Sequence, residues 1–322
     1  MDVLRIDPQC EAQRIESWIA ETVRRLKKKG VVIGLSGGID SSVVVALCSR
    51  AIGKERTFGL LMPEVESSAD SIRLGRLVAD SLGVQTMIED IGPILAGTGC
   101  YQRRDNAIRA VIPEYTNLCK SKIVLPSILA GPQYRIFSVV VQMPDGAQKR
   151  ARLSAGAYRG VVAATNFKQR TRKMMEYYHA DLLDYAVAGS ANRVESDQGF
   201  FVKNGDGSAD IKPIAHLYKT QVYQLAKFLG IPEQIRQRCP TSDTYSLPQS
   251  QEEFYFSIPY DQLDLCLYAK DRGLSAESVA MVIGLTTEQV EQVYRDIDAK
   301  RSAARYLHLS GMAMSCSEEI TG

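Results

Sequence analysis

Residues 33–42 read IGLSGGIDSS, an apolar run that stops at Ser36-Gly37-Gly38-Ile39-Asp40-Ser41-Ser42. The flanks decide what this means. Val31 to Leu35 is short and unbroken in its hydrophobicity, as in a strand buried on both faces, and Val43 to Ser49 reads as helix once a strand precedes it. A loop that leaves a parallel strand and enters a helix points free backbone N–H groups and the positive helix end at one place, where an anion is the natural occupant. Gly37 and Gly38 allow the main chain to approach phosphate oxygens without a Cβ clash, and Ser36, Ser41 and Ser42 add hydroxyl donors. Asp40 would repel phosphate by itself; a magnesium ion between the two resolves the conflict, since Mg²⁺ takes carboxylate and phosphate oxygens together.

The same alternation extends outward. Thr57 to Met62 and Val84 to Ile88 read as strands around a helix from Ser68 to Leu82, whose apolar face is Ile72, Leu74, Leu77 and Val78. Upstream, Ile15, Trp18, Ile19, Val23 and Leu26 mark an amphipathic helix that gathers Lys and Arg before Gly30. This predicts an α/β fold, a Rossmann-like parallel sheet with helices on both faces. The pattern breaks over about 96–160, where 135–143 and 147–154 flank Pro144-Asp145-Gly146 as an inserted β-hairpin. Helical periodicity resumes near Asn166 and runs through Met174 and Tyr178. Leu183 to Ala188 reads as a strand, Lys219 to Leu229 as a helix, and Pro240 to Glu253 as a polar loop before a helical C-terminal tail. The expectation is one domain over 1–322 carrying the insertion.

Composition narrows the class. The 39 basic and 37 acidic residues leave a formal charge of +2, so no overall field favours nucleic acid or an anionic membrane. Seven cysteines, scattered and never spaced Cys-x-x-Cys, fit neither a disulfide framework nor a zinc site. The first residues, MDVLRIDPQCEAQ, lack a basic start followed by an apolar stretch, and no window approaches the length of apolar residues a bilayer span needs, so a soluble, unexported, cytoplasmic protein is expected.

The loop has neither the Gly-x-x-x-x-Gly-Lys-Ser/Thr of the common P-loop nor the Gly-x-Gly-x-x-Gly of dinucleotide folds. Ser-Gly-Gly-x-Asp-Ser-Ser instead resembles the pyrophosphate loop of the ATP pyrophosphatases, with their adenine nucleotide alpha hydrolase-like fold. Within that class, the stretch from Ala188 to Gly207, AGSANRVESDQGFFVKNGDG, resembles the NAD synthetase family. Asn166-Phe-Lys-Gln-Arg170-Thr-Arg172, Asp210-Ile-Lys-Pro, Leu217-Tyr-Lys219, Pro240-Thr241-Ser-Asp243, Gln249-Ser-Gln-Glu252 with Tyr260, and Lys300-Arg301 follow in the family's order.

The resemblance implies an enzyme that adenylates the nicotinate carboxylate of deamido-NAD with ATP and Mg²⁺ and then lets ammonia displace AMP. It implies ATP contacts from Ser36, Gly37, Gly38, Asp40, Ser41, Ser42, Arg170, Ser190, Lys219 and Thr241, with Asp40, Lys219 and Arg170 in catalytic roles. It implies Mg²⁺ on Asp40 and Glu195, and deamido-NAD contacts from Lys203, Asp206, Asp210 and Lys300. Family members form homodimers. The resemblance covers a synthetase part without the nitrilase-like glutaminase domain of glutamine-dependent members, which implies free ammonia or a separate donor protein.

Some positions depart from the family. Val202 stands where Thr is usual, Gln251 where an acid is usual, Phe256 where Gly is usual, and Ala299 precedes the basic pair in place of His or Tyr. These departures keep two alternatives open: the same ATP cleavage acting on a different carboxylate or a tRNA base, and a nucleotide-binding module without turnover. Two short helices around Gly284 could pass for a helix-turn-helix, but Glu288, Glu291, Asp296 and Asp298 on the second would be repelled by a phosphate backbone.

Overall fold

The computed structural model describes residues 2–130, 136–241 and 244–313. Its main sheet is parallel, with strands β1 (Val31–Gly34), β2 (Thr57–Leu61), β3 (Gln85–Ile88) and β7 (Ala186–Ala188) in the order β3-β2-β1-β7. In register, Val31 lies beside Thr57 on one side and Ala186 on the other. The central place of β1 explains its unbroken apolar run. Val31 and Ile33 pack on the face covered by helices α1 (Pro8–Arg25), α2 (Ile39–Ile52), α3 (Ala69–Leu82) and α8 (Lys219–Phe228). Val32 packs on the opposite face, against α4 (Gly92–Gly97), α5 (Cys100–Arg109) and α6 (Ala155–Leu183).

From β1 the chain first moves to β2 and β3 on one side and returns to β7 on the other. The crevice beyond the C-terminal end of β1 is therefore a topological switch point, the place where open α/β sheets bind ligands.

Several expectations need adjusting. The strand read from Leu183 begins only at Ala186, because α6 continues to Leu183 and ends on Asp184 in the left-handed region (φ 58°). The strand β3 is at the sheet edge, and Met87 and Ile88 are exposed instead of buried. On α1 the buried stripe is Ala12, Ile15, Ile19, Thr22 and Val23, while Trp18 is 42% exposed.

The stretch after β3 carries a second, antiparallel sheet, β4 (Lys120–Val124), β5 (Ser138–Gln142) and β6 (Gln148–Arg152), in that order. The hairpin β5–β6 matches the reading, with Met143 N donating to Ala147 O at 2.8 Å across the turn; Arg135 lies outside the described residues. The strand β4 was not anticipated. Its inward Ser121 and Ile123 alternate with outward Lys120 and Lys122, a pattern too short to separate from loop.

Helix α6 also starts earlier than its periodicity suggests, capped by Ser154 Oγ, which accepts from Ala157 N at 3.2 Å. Its first turns are rich in Gly and Ala because they lie close to α5: a Cβ on Gly160 would sit 2.9 Å from Ala107 Cβ. Beyond β7 come α7 (Arg193–Gln198), α8, α9 (Glu233–Arg236), and the tail helices α10 (Tyr260–Asp271), α11 (Ala276–Ile283) and α12 (Thr287–His308). In the tail, Leu263, Leu267, Val279, Val290, Val293 and Ile297 pack together with Leu4, Val194 and Tyr218 of the main body in a second core, which accounts for the helical pair around Gly284 as packing. Among the described residues, no helix is long and apolar enough to cross a membrane.

Candidate active site

The Ser36–Ser42 loop lies at the switch point. Gly37 has φ +71°, and a Cβ there would lie 2.7 Å from Ser71 O, so both conformation and space require glycine. Gly38 caps α2 without a side-chain acceptor, which leaves the first amides of the helix for a ligand. Ser36 Oγ accepts from Gly38 N at 3.2 Å and lies 3.2 Å from Ser41 Oγ. The hydroxyls of Ser41 and Ser42 both donate to Gly38 O, at 3.1 and 2.8 Å. Ser42 is fully buried behind the loop, whereas Ser36, Gly38, Asp40 and Ser41 line the cavity in front of it.

Asp40, in the first turn of α2, is ion-paired with Lys219 at the start of α8. Its other oxygen accepts from Asn192 Nδ2 at 3.0 Å. Asn192 is also the N-cap of α7: its side chain accepts from Glu195 N at 3.0 Å, and Glu195 Oε2 accepts from Asn192 N at 3.2 Å. This capping box brings Glu195 beside Asp40. Burial, reinforced by the Asp40 charge, pushes the Glu195 carboxyl up to about 8. Burial works against the Lys219 charge, but Asp40 and Glu195 outweigh it and hold the ammonium above its usual range. Gln251 Nε2 donates to Glu195 Oε1 at 3.4 Å, and Tyr260 donates to Gln251 Oε1.

Asp40, Lys219, Glu195 and Gln251 line one cavity of about 520 Å³, between the C-terminal end of β1, α6 and the stretch that carries Cys239, Thr241 and Thr244 to Tyr255. Of the residues expected to contact ATP, Ser36, Gly38, Asp40, Ser41, Ser190, Lys219 and Thr241 line it; Gly37 and Ser42 support the loop from behind. Ser242 and Asp243 lie outside the described residues. Arg170 is exposed and outside the cavity, its Nε donating to Lys203 O at 3.2 Å, while Arg172 of the same motif lines it.

Of the four residues expected to meet the second substrate, only Asp206 lines the cavity, with Oδ1 accepting from Val202 N at 2.7 Å. Lys203 Nζ donates to Tyr306 O and Leu309 O at 3.0 and 2.8 Å, holding the end of α12. Lys300 Nζ donates to Tyr255 O at 3.0 Å and pairs with Asp296 at 2.8 Å. Asp210 Oδ2 accepts from Val187 N at 2.7 Å, at the edge of β7.

The sequence reading missed Asn192 as the link between Asp40 and Glu195. Its signal was present, as a capping-box Asn followed three residues later by Glu. It also missed Glu176, buried in the cavity wall and paired with Lys173 at 2.5 Å, which no local pattern announces. No group of three or more His, Cys, Asp or Glu among the described residues forms a ready-made metal cage.

The sequence matches the family model for NAD synthase over residues 11–112 and 133–304. The chain belongs to the NAD synthase family. A Rhizobium meliloti (strain 1021) relative named NH(3)-dependent NAD(+) synthetase is 57% identical over 99% of this chain and 96% of its own length. Among solved structures of similar fold, an NH3-dependent NAD synthetase from Campylobacter jejuni gives a TM-score of 0.63 at 22% identity, over 96% of this chain and 100% of that one. An NMN synthetase from Francisella tularensis gives 0.65 at 20% identity, over 97% and 100%. At these identities the fold is what is shared, and proteins named for different products share it with this NAD synthase family member.

Proposed function

We propose that this chain is an ammonia-dependent NAD synthetase. A carboxylate is a poor acyl donor, so the nicotinate carboxylate of deamido-NAD attacks the α-phosphorus of ATP, pyrophosphate leaves, and the acyl adenylate forms. Ammonia then adds to the acyl carbon, AMP departs with the former carboxylate oxygen, and a proton is released with formation of the amide of NAD. The observation that carries this reading is the convergence of Asp40, Lys219 and Glu195 in front of the open α2 amides, at the switch point of the sheet.

Ser36, Gly37, Gly38 and Ser41 cradle the pyrophosphate, with Ser42 fixing the loop through Gly38 O. Lys219 offsets the charge that builds on the leaving oxygens. Asp40 and Glu195 would hold a magnesium ion that neutralises the polyphosphate. Two adjacent carboxylates, one with its proton affinity raised by burial and by the other, fit such an ion, because Mg²⁺ is bound by one or two carboxylates plus phosphate oxygens. Ser190 and Thr241 contact the nucleotide, and Asp206 faces the deamido-NAD side of the cavity.

The chain works as a homodimer in this reading. Arg170, Met174, Tyr178 and Leu182 recur every four residues along α6 and are all exposed, an apolar stripe headed by a cation that a second chain would cover. Arg170 would then reach a substrate across the interface, while Lys203 holds the end of α12. The described cysteines are all free, in keeping with a reducing cytoplasm. In this reading the nitrogen is free ammonia or is delivered by a separate protein. NAD formation from deamido-NAD, ATP, Mg²⁺ and ammonium by the purified chain tests the proposal.

A further inference from the structure

Lys168 on α6 has no exposed surface and does not line the cavity, yet its ammonium is fully engaged. It donates to Glu64 Oε1 at 2.8 Å, Glu66 Oε2 at 2.5 Å and Thr244 O at 2.7 Å. The acceptors come from separate parts of the chain: Glu64 and Glu66 from the β2–α3 connection, Thr244 from the segment before Tyr245. Each part also lines the cavity, through Pro63 and Ser67, through Thr165 and Gln169 beside Lys168, and through Thr244 and Tyr245.

The acids are themselves fixed. Glu64 Oε2 accepts from Tyr101 OH at 2.8 Å and from Glu66 N at 3.1 Å. Glu66 also pairs with Arg104, which is held on Asp105 at 2.7 Å. A buried ionic cluster is a weak source of stability, since well-packed apolar residues of the same volume often do as well; what it supplies is a fixed direction at each charged atom.

We propose that Lys168 is a positioning residue: by tethering the Thr244 main chain to α6 and the β2–α3 connection, it sets the cavity wall formed by Thr244 and Tyr245. This rests on the reading of the cavity as the NAD synthetase site. Removing the tether loosens a binding surface and leaves the reacting groups Asp40, Lys219 and Glu195 in place.

Lys168→Met by itself strips the counter-charge from two buried carboxylates, so the informative variant is Lys168→Met/Glu64→Gln, which removes one charge of each sign. In the ligand-free full chain, amide hydrogen exchange over 244–256 should accelerate about tenfold or more, with 31–34 in β1 unchanged. In steady state, KM for ATP or deamido-NAD should rise about tenfold with kcat within about threefold, the signature of lost uniform binding. Glu64→Gln alone keeps the Thr244 tether and should leave both measurements near wild type. Unchanged exchange and KM in the double variant would overturn the proposal, as would an equal rise in Glu64→Gln or faster exchange spread equally into β1. Exchange is read without substrate, so it still tests the tether if the wild-type chain makes no NAD.

Discussion

The Lys219 ammonium and the Asp40 carboxylate are joined in an ion pair although 179 positions separate them in the chain. One begins α8 and the other lies in the first turn of α2, and both meet where β1 ends. The pair fixes Asp40, the one charged residue of the Ser36–Ser42 loop, at the wall of the cavity. It also keeps Lys219 charged despite its burial.

Lys219→Met should lower kcat for NAD formation by about 10²-fold or more, since an interaction of about 3 kcal/mol at the transition state corresponds to that factor. Removing one partner of a buried pair also costs about 3 kcal/mol of folding stability. Asp40→Asn should fall by a similar factor, and the double variant by much less than the product of the two. Steady-state kinetics on the set decides it; multiplicative losses would mean that the two residues act independently.

The serines of the loop separate into two kinds. Ser36 is exposed at the cavity, so Ser36→Ala should raise KM for ATP about tenfold, one lost hydrogen bond to a charged oxygen, with little effect on melting. Ser42 is buried with its hydroxyl on Gly38 O at 2.8 Å, so Ser42→Ala should cost about 1 kcal/mol of stability and change KM less. Thermal melts and ATP titrations on both variants give the comparison, and a reversed order would remove the assignment.

The exposed stripe on α6 makes a separate prediction. Tyr178→Glu places a charge among Met174, Tyr178 and Leu182 and should turn a dimer into a monomer in sedimentation at micromolar concentration, leaving the melting of the isolated chain nearly unchanged. A wild-type chain that sediments as a monomer would contradict the dimer reading.

Asp264 in α10 supports α8 from behind the site, its Oδ2 accepting from Thr220 N at 2.7 Å, while Oδ1 is buried with no hydrogen-bond partner among the described residues. Burial pushes this carboxyl up to about 6. Below about pH 4 both folded and unfolded chains carry the proton; as pH rises, the unfolded chain ionises first, so wild-type stability falls between about pH 4 and 6 and stays reduced above. The shift corresponds to about 2–3 kcal/mol. Asp264→Asn should lack this slope and gain on wild type as pH rises, which denaturation at pH 4.5 and 7.5 measures. A wild type that gains on the variant over that range would refute the sign.

Much of this architecture is written locally. The run Val31–Leu35, the glycines and the following helix place the loop, because a buried strand and a helix start each have a short-range signal. Asn192 and Glu195 follow the same logic through their capping box. The start of α6 and the strand β4 were obscured because tertiary contacts set them: Gly160 answers to Ala107, and β4 is stabilised by β5 and by the segment carrying Leu247, whose N donates to Ser121 O at 3.2 Å. Family motifs also mix residues that line the cavity with residues that hold its walls. Asp206 and Lys203 belong to one motif, yet Asp206 lines the cavity while Lys203 grips the main chain at the end of α12.

Pyrophosphate release and NAD formation by the purified chain with ATP, Mg²⁺ and ammonium, measured with and without deamido-NAD, test the central claim most directly. The account predicts pyrophosphate released only when deamido-NAD is present, in equal amount to the NAD formed. ATP cleavage indifferent to deamido-NAD, or stimulated by nicotinate mononucleotide in its place, would contradict it.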